Sequence, residues 1–422
     1  MRRALGVLLI LAMVSRAQAG DHAPVKPFQL TVGGEYRLKV ESLDAPDFDL
    51  RPSDEAYTAI GQRGLVHADL HLDQSLRAFL ELSAATDSGR KPAERSFDRS
   101  RPDLSQAFID VLLPHETTLR VGRQQLDAGG NRLISTREAA NLRLAFDMAH
   151  LESKLGRTSI TAFYGRPALN ERGAFDDRRS PTEKFIGAWL LAPLTQSPQA
   201  PLVSLFFLSR DRALARYQEG AASDHRRTIG ARVSGKAMSW DYAVQTSRQY
   251  GSFGADDIRA FGFAGDLGWH PQARFAPRIG MSFGYASADR HRDDHLDTFD
   301  VIYPNLGYFT DAPVYYPGNT ADVQPNVAID ASRSLRLRAG CDAVFRISKN
   351  DAVYGVPGVP LLAGNGSGTS FVAAMSYVRA EWTANAHVGV TLSYVHGSTS
   401  TLIRSAGGHD FNYGAFVMSL RF

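Results

Sequence analysis

Residues 28–41 read Phe28-Gln29-Leu30-Thr31-Val32-Gly33-Gly34-Glu35-Tyr36-Arg37-Leu38-Lys39-Val40-Glu41. Phe28, Leu30, Val32, Tyr36, Leu38 and Val40 alternate with Gln29, Thr31, Glu35, Arg37, Lys39 and Glu41. A strand points successive side chains to opposite faces, so this stretch is a strand with one apolar and one polar face. The period of two recurs to the end of the chain. Leu76, Ala78, Leu80 and Leu82 oppose Arg77 and Glu81; Leu335, Leu337, Ala339, Cys341, Ala343 and Phe345 oppose Arg336, Arg338, Asp342 and Arg346. Phe416, Met418, Leu420 and Phe422 close the series. Strands are expected at 28–41, 61–73, 75–84, 104–113, 117–125, 143–154, 157–165, 184–194, 201–210, 225–236, 238–249, 258–269, 277–287, 325–333, 335–347, 370–380, 384–397 and 410–422, eighteen in all.

The connections between these strands decide the architecture. Short turns fall at Asp73-Gln74, Pro114-His115-Glu116, Gly156, Ser197-Pro198, Ala237, Pro271, Ser334 and Thr383. Long loops are expected between them, at 42–60, 85–103, 126–142, 166–183, 211–224, 250–257, 288–324, 348–369 and 398–409. Strict alternation of short and long connections is the pattern of an outer-membrane β-barrel, with turns in the periplasm and loops outside. The fold class expected is therefore all-β: an antiparallel transmembrane barrel of eighteen strands. A single barrel over residues 20–422 replaces the two or three soluble domains that 422 residues would otherwise suggest.

The start of the chain agrees with export. Met1-Arg2-Arg3 is basic, Leu5 to Val14 is apolar, and Ala17-Gln18-Ala19 fits a small-x-small cleavage site, so residues 1–19 read as a signal peptide. No later stretch is long and apolar enough for a spanning helix. The expected location is the bacterial outer membrane, with its lipid as the outer contact. The last strand, ending on Phe422, is expected to engage the barrel assembly machinery. Trp189, Trp240, Trp269 and Trp382 lie near strand ends or turns, as an interfacial aromatic girdle requires.

Charge narrows the function. Lys+Arg is 47 and Asp+Glu 44, but Arg2, Arg3 and Arg16 belong to the leader, so the mature chain is formally neutral and a nucleic-acid partner is not indicated. Seven of the 47 are Lys; the rest are Arg. In a barrel the polar face lines the interior. This directs Arg37, Arg77, Arg120, Arg210, Arg232, Arg336, Arg338 and Arg346 inward, with Glu35, Asp69, Glu81, Asp110, Asp241 and Asp342. A charge facing lipid at mid-depth would cost about 2–4 kcal/mol. Guanidinium groups bind carboxylates through two parallel hydrogen bonds, so an interior rich in Arg favours anionic or polyhydroxylated solutes.

Residues 122–147 are the most distinctive segment. Arg123, Arg132, Arg137, Glu138, Arg143 and Asp147 crowd around Gly129-Gly130, and a polar loop punctuated by glycine is expected to fold inward and narrow the lumen. Strict alternation puts Arg123 on the lipid face, which a bulge or a position near the outer rim would relieve. The run Gly122-Arg123-Gln124-x-Leu126, Asn131-Arg132-Leu133-Ile134-Ser135-x-Arg137-Glu138-x-x-Asn141-x-Arg143 and Phe146-Asp147 resembles the alginate export porin family of the bacterial outer membrane. Phe345-Arg346 with Asp351-Ala352-Val353-Tyr354, and Gly407-Gly408-His409-Asp410-Phe411-x-Tyr413-Gly414, resemble later motifs of that family. The resemblance implies an eighteen-stranded barrel with an electropositive constriction that passes an anionic polysaccharide such as alginate. Its pore arginines would map onto Arg123, Arg132, Arg137, Arg143, Arg336, Arg338 and Arg346, with Glu138, Asn141 and Asp147 beside them. The chain is shorter than the alginate exporter itself, which leaves the polymer open.

Other chemistry is weaker. Asp289-Arg290-His291-Arg292-Asp293-Asp294-His295-Leu296-Asp297 mixes imidazoles and carboxylates, but at the start of the longest loop it reads as solvated charge. No nucleophile-elbow or zinc-protease motif is present, and the one cysteine, Cys341, falls on the lipid face. No cofactor, metal or enzymatic role is called for. The alternative is a barrel enzyme acting on lipid or peptide, through His–Asp pairs such as Asp224-His225 and His409-Asp410.

Overall fold

A computed structural model of the chain describes residues 28–422, apart from positions 93, 131, 291 and 292. The leader expected at residues 1–19 lies outside the described residues. Eighteen long strands form one antiparallel sheet. They are β1 (Gln29–Leu43), β2 (Tyr57–His71), β3 (Leu76–Ser88), β4 (Ser100–Leu113), β5 (Thr117–Gln124), β6 (Phe146–Leu155), β7 (Thr158–Leu169), β8 (Glu183–Pro193) and β9 (Leu202–Tyr217). The second half holds β10 (Gly220–Ala237), β11 (Trp240–Phe253), β12 (Asp256–Trp269), β13 (Arg278–Ala286), β14 (Thr320–Asp330), β15 (Leu335–Phe345), β16 (Phe371–Thr383), β17 (Val388–Thr399) and β18 (Phe411–Arg421).

Each strand pairs with its neighbour in chain order, and β18 pairs back onto β1, with Glu35 opposite Arg421 and Leu43 opposite Tyr413. The sheet is thus a closed barrel without free edges. Backbone bonds finish the seam: Gly34 N donates to the Phe422 carbonyl at 3.0 Å, and Phe422 N donates to the Gly34 carbonyl at 3.1 Å. A Cβ on Gly34 would lie 2.5 Å from the Phe422 ring, so the crossing needs glycine.

The alternation read from the sequence fixes the faces. Leu30, Val32, Leu80, Ile109, Val121, Ile279, Val323 and Val378 are exposed on the outside. The acids and arginines expected on the polar faces point inward, and several pair across strands. Arg77 lies between Asp69 (2.7 Å) and Asp110 (2.8 Å), and Arg120 bonds Asp110 at 2.6 Å. Arg278 holds Asp241 at 2.6 Å farther round the wall.

Two expected long loops are replaced by tight hairpins. β9 runs on to Tyr217 and β10 starts at Gly220; β11 reaches Phe253 and β12 starts at Asp256. Segments 211–224 and 250–257 carry polar residues on both faces, and the register breaks between Arg212 and Ala215, so they extend the wall without an apolar stripe to reveal them. Arg212 opposite Asp224, at 3.1 Å, is one pair that holds the extension. Trp189 also departs from expectation. It faces inward and stacks on Phe206 with centroids 4.5 Å apart, whereas Trp240, Trp269 and Trp382 are exposed outward at the turn end.

Three loops at the other end fold over the wall. Loop 125–145 packs Leu133 and Ile134 against Phe146, Met148, Phe163, Phe185, Phe206 and Leu208. Loop 287–319 lays Phe299, Val301 and Tyr316 on Phe253, Ile258 and Tyr354, and sends Val314 and Tyr315 to Val344 and Met375. Burying each such side chain stabilises docking by about 1.5–3 kcal/mol. The two loops also join by backbone: Ser135 N donates to the Tyr303 carbonyl and Tyr303 N to the Leu133 carbonyl, both at 2.9 Å. Loop 346–370 is tied in by Asn319, whose amide nitrogen donates to the carbonyls of Ser348, Asp351 and Ala352 at 2.9–3.1 Å.

Candidate functional site

The docked loops narrow the lumen, and their charged residues meet those of the wall. On the β1–β2 side, Arg63 is buried and donates to both Glu35 and Glu138 at 2.5 Å. Arg37 donates to the carbonyls of Glu138 and Ala140, the latter at 2.5 Å, and to Asn141 Oδ1 at 3.2 Å. Arg143 pairs with Glu138 and lies 3.9 Å from Glu35. Three guanidinium groups thus share two carboxylates. Enclosure in the lumen alone would raise the Glu138 carboxyl, but Arg63 and Arg143 outweigh it and hold that group well below the usual carboxylate range. Asn141 fixes the loop to the wall: its amide nitrogen donates to the carbonyls of Thr86 and Asp98, each at 2.9 Å.

Farther along the same loop the arginines lose their acids. Arg137 has a left-handed backbone (φ 58°) and donates from Nε to the Pro304 carbonyl at 3.2 Å. Arg132 donates to the Tyr308 hydroxyl at 3.3 Å and lies 5.4 Å from that ring's centre. The Arg232 guanidinium packs against Gly130, where a Cβ would sit 3.1 Å from it. Among the described residues, none of these three has a carboxylate within ion-pair distance. Arg132 faces a small cavity also lined by Gln245, Ser247, Tyr285, Tyr308 and Asp322.

A second tier lies on β15 and β16. Arg338 stands opposite Arg379 in register, and both reach Glu381, at 3.5 and 3.1 Å. Arg379 also grips Asp311 of loop 287–319 at 2.6 Å, and Arg336 is 3.7 Å from Asp330. Arg336 and Arg338 remain about one-third exposed to the lumen.

Three residues expected at the constriction stand elsewhere. Arg123 and Asp147 pair with each other at 2.7 Å on the outward face, in register with Ala107 and Arg166. They sit at the loop end, where Arg123 also donates to the Asp177 carbonyl at 3.2 Å, so a position at the rim resolves the conflict with lipid. Arg346 points inward but is buried, donating to the carbonyls of Thr369 (3.0 Å) and Ser367; it secures loop 346–370. Arg132, Arg137, Glu138, Asn141 and Arg143 come together on the docked loop, and Arg336 and Arg338 on the wall.

The residue that anchors the second loop lies outside every periodic stretch of the sequence. Asp300, buried beneath loop 287–319, accepts from Arg210 (2.6 Å), Arg212 (2.8 Å), Tyr217 (2.7 Å) and Tyr316 (2.8 Å). Its backbone is held by Gln249, whose amide nitrogen donates to the Asp300 carbonyl at 2.6 Å. The inward parity of Arg210 was a signal that it needed an acid; its partner lies ninety residues away in a loop without periodicity.

The barrel fold is shared with known proteins. A protein-family model for alginate export matches residues 28–416. No curated protein matches the chain. Solved structures share the fold at low identity. Pseudomonas aeruginosa OccK3 (OpdO) is 12% identical, with a TM-score of 0.63 over 93% of this chain and 96% of that one. Acinetobacter baumannii OccAB1 is 10% identical, with a TM-score of 0.63 over 93% and 96%. Pseudomonas aeruginosa OccK2 (OpdF), solved in complex with glucuronate, is 10% identical, with a TM-score of 0.63 over 93% and 98%. An outward apolar face, a closed eighteen-strand barrel and a family match over nearly all the described residues place the protein in the bacterial outer membrane as a channel, and the chain belongs to the alginate export family.

Proposed function

We propose that this channel passes anionic, hydroxyl-rich solutes of the uronate class, and that Arg132, Arg137, Arg143, Arg336 and Arg338 of the lumen set its preference, with Arg232 and Arg379 beside them. The reading is supported by the trio Arg132, Arg137 and Arg232: among the described residues none has a carboxylate within ion-pair distance, and Arg132 and Arg137 donate to neutral oxygens. A guanidinium satisfied only by neutral oxygens retains attraction for a passing carboxylate, and it releases that carboxylate again because the neighbouring site offers the same contact. The glucuronate bound to OccK2 (OpdF) is a ligand of the same chemistry in a barrel of the same fold.

The role assigned here is transport without catalysis. Of the His–Asp pairs that would serve an enzyme, Asp224 and His225 are divided by the wall: Asp224 is buried inside with Arg226, while His225 points outward to Asp211 at 3.0 Å. His409 is exposed and bonds Asp49, not Asp410. The strand ending on Phe422 is the segment assigned to the barrel assembly machinery, and the outward apolar belt to lipid.

Single-channel conductance of the refolded protein in a planar bilayer, under a salt gradient, tests the proposal. The expected result is an anion-selective reversal potential and block by added oligouronate. A cation-selective or unselective channel, with no block, would overturn it.

A further inference from the structure

The outward face holds charges that the channel does not use. A charged side chain there costs about 2–4 kcal/mol at mid-depth and about 0–1 kcal/mol near the interface. Along β13–β18 the outward positions of the strands carry no Arg, Lys, Asp or Glu. On β10–β12 they carry three arginines, two at one level and the third two residues along. Arg227 of β10 stands opposite Tyr250 of β11, and Tyr250 stands opposite Arg259 of β12. Arg248 lies two residues from Tyr250 on the same face, flanked in register by Ile229 and Phe261. All three arginines are exposed, in the loop-end half of their strands. Arg259 is 3.7 Å from Asp257; among the described residues, Arg227 and Arg248 have neither an ion pair nor a hydrogen bond from the side chain.

Neighbouring strands are about 4.8 Å apart, so three flexible guanidinium groups around one tyrosine can converge on a single doubly charged group. Arginine presents a fork of donors that matches phosphate oxygens in pairs. Beside this cluster the outward face carries an apolar groove of about 740 Å³, lined by Ile160, Leu190, Leu205, Ile229 and Phe261, with Arg248 at its border. Cations adjoining an apolar groove on the lipid-facing wall fit an amphiphile whose phosphate lies next to several acyl chains.

We infer that the outward face of β10–β12 is a docking site for a phosphorylated, multiply acylated glycolipid of the outer leaflet, with Arg227, Arg248 and Arg259 binding its phosphate and the adjoining groove its acyl chains. The site lies outside the lumen, so its occupation is independent of solute selectivity.

The test is native mass spectrometry of the purified full-length barrel in detergent, titrated with diphosphorylated lipid A or with the same lipid after dephosphorylation. The expected result is at least tenfold stronger retention of the phosphorylated lipid. That preference should vanish in the triple variant Arg227→Gln/Arg248→Gln/Arg259→Gln, with bilayer conductance unchanged. Equal retention of the two lipids by the wild-type barrel overturns the inference, as does a triple variant that keeps the preference. The wild-type comparison decides alone if the variant does not fold. Inorganic phosphate at millimolar concentration should fail to displace the lipid; displacement would show that a phosphate alone occupies the site and would remove the acyl groove from the proposal.

Discussion

Replacing Asp300 by alanine should release loop 287–319 from the barrel wall while leaving the barrel itself folded. The carboxylate accepts from two guanidinium and two phenol groups, and Arg210 beneath it is only 2% exposed. Removing it leaves Arg210 with the Ile302 carbonyl at 2.7 Å and the more distant Glu183 carboxylate at 3.9 Å. Breaking a buried ion pair from one side costs about 3–5 kcal/mol, because the other charge stays buried without compensation. The wall strands keep their own pairing, so the cost falls on loop docking. At about 1.4 kcal/mol per factor of ten, 4 kcal/mol lowers the docked-to-open ratio roughly a thousandfold. In a bilayer this should appear as a larger mean conductance with frequent transitions between levels. Limited proteolysis should newly cut within 287–319, and heat-modifiable migration should persist. Asp300→Asn, which keeps the shape and loses the charge, should give an intermediate phenotype. A D300A channel with wild-type conductance and a protease-resistant loop would refute the anchoring argument.

Other outcomes follow from the same contacts. The double variant Arg336→Ala/Arg338→Ala should shift the reversal potential toward zero, whereas Arg346→Ala should leave selectivity unchanged and make loop 346–370 sensitive to protease. Asn141→Ala strands two carbonyls and an Arg37 contact; at about 1–3 kcal/mol for each unsatisfied buried group, it should mobilise loop 125–145 in hydrogen exchange. Glu219, in the turn between β9 and β10, is pushed up to about 9 by burial, by its bond to Asp289 and by the charge of Asp351. An acid that holds its proton more tightly when packed loses packing stability as pH rises from its free value of 4.5 toward 9. Protection factors around Glu219, which remove the intrinsic pH dependence of exchange, should therefore fall over that window, and Glu219→Gln should abolish the fall.

The barrel was legible because a period of two needs no partner to be seen: Leu335 to Phe345 declares its two faces within eleven residues. The same parity directed Arg336 and Arg338 inward. It failed where the wall rises past the apolar belt, at 211–224 and 250–257, because strand pairing there rests on polar contacts such as Arg212 with Asp224. It also gave Arg123 a face without a height, and height decides whether a charge meets lipid or a loop. Within the loops the limit is different. Asp300 and Glu138 take their roles from arginines 90 and 75 residues away; the charged cluster around Gly129-Gly130 marks Glu138 but not its partner, and no local pattern marks Asp300. Arg63 and Arg379 lie inside expected strands, and parity gives them the same direction as their neighbours; it does not show that docked loops bring them Glu138 and Asp311.

The seam between β1 and β18 joins residues 386 positions apart, as the Glu35–Arg421 pair records. Until β18 pairs with it, a β1 joined only to β2 presents a row of unpaired amides on its other edge that would template pairing with another strand. Closure is also the contact of longest sequence separation, and the loop-closure entropy it demands makes it intrinsically slow. The folding problem of this protein is thus one of timing: Gly33 and Gly34, kept free of side chains for Phe422, hold a vacant berth on the first strand that the eighteenth is the last to fill.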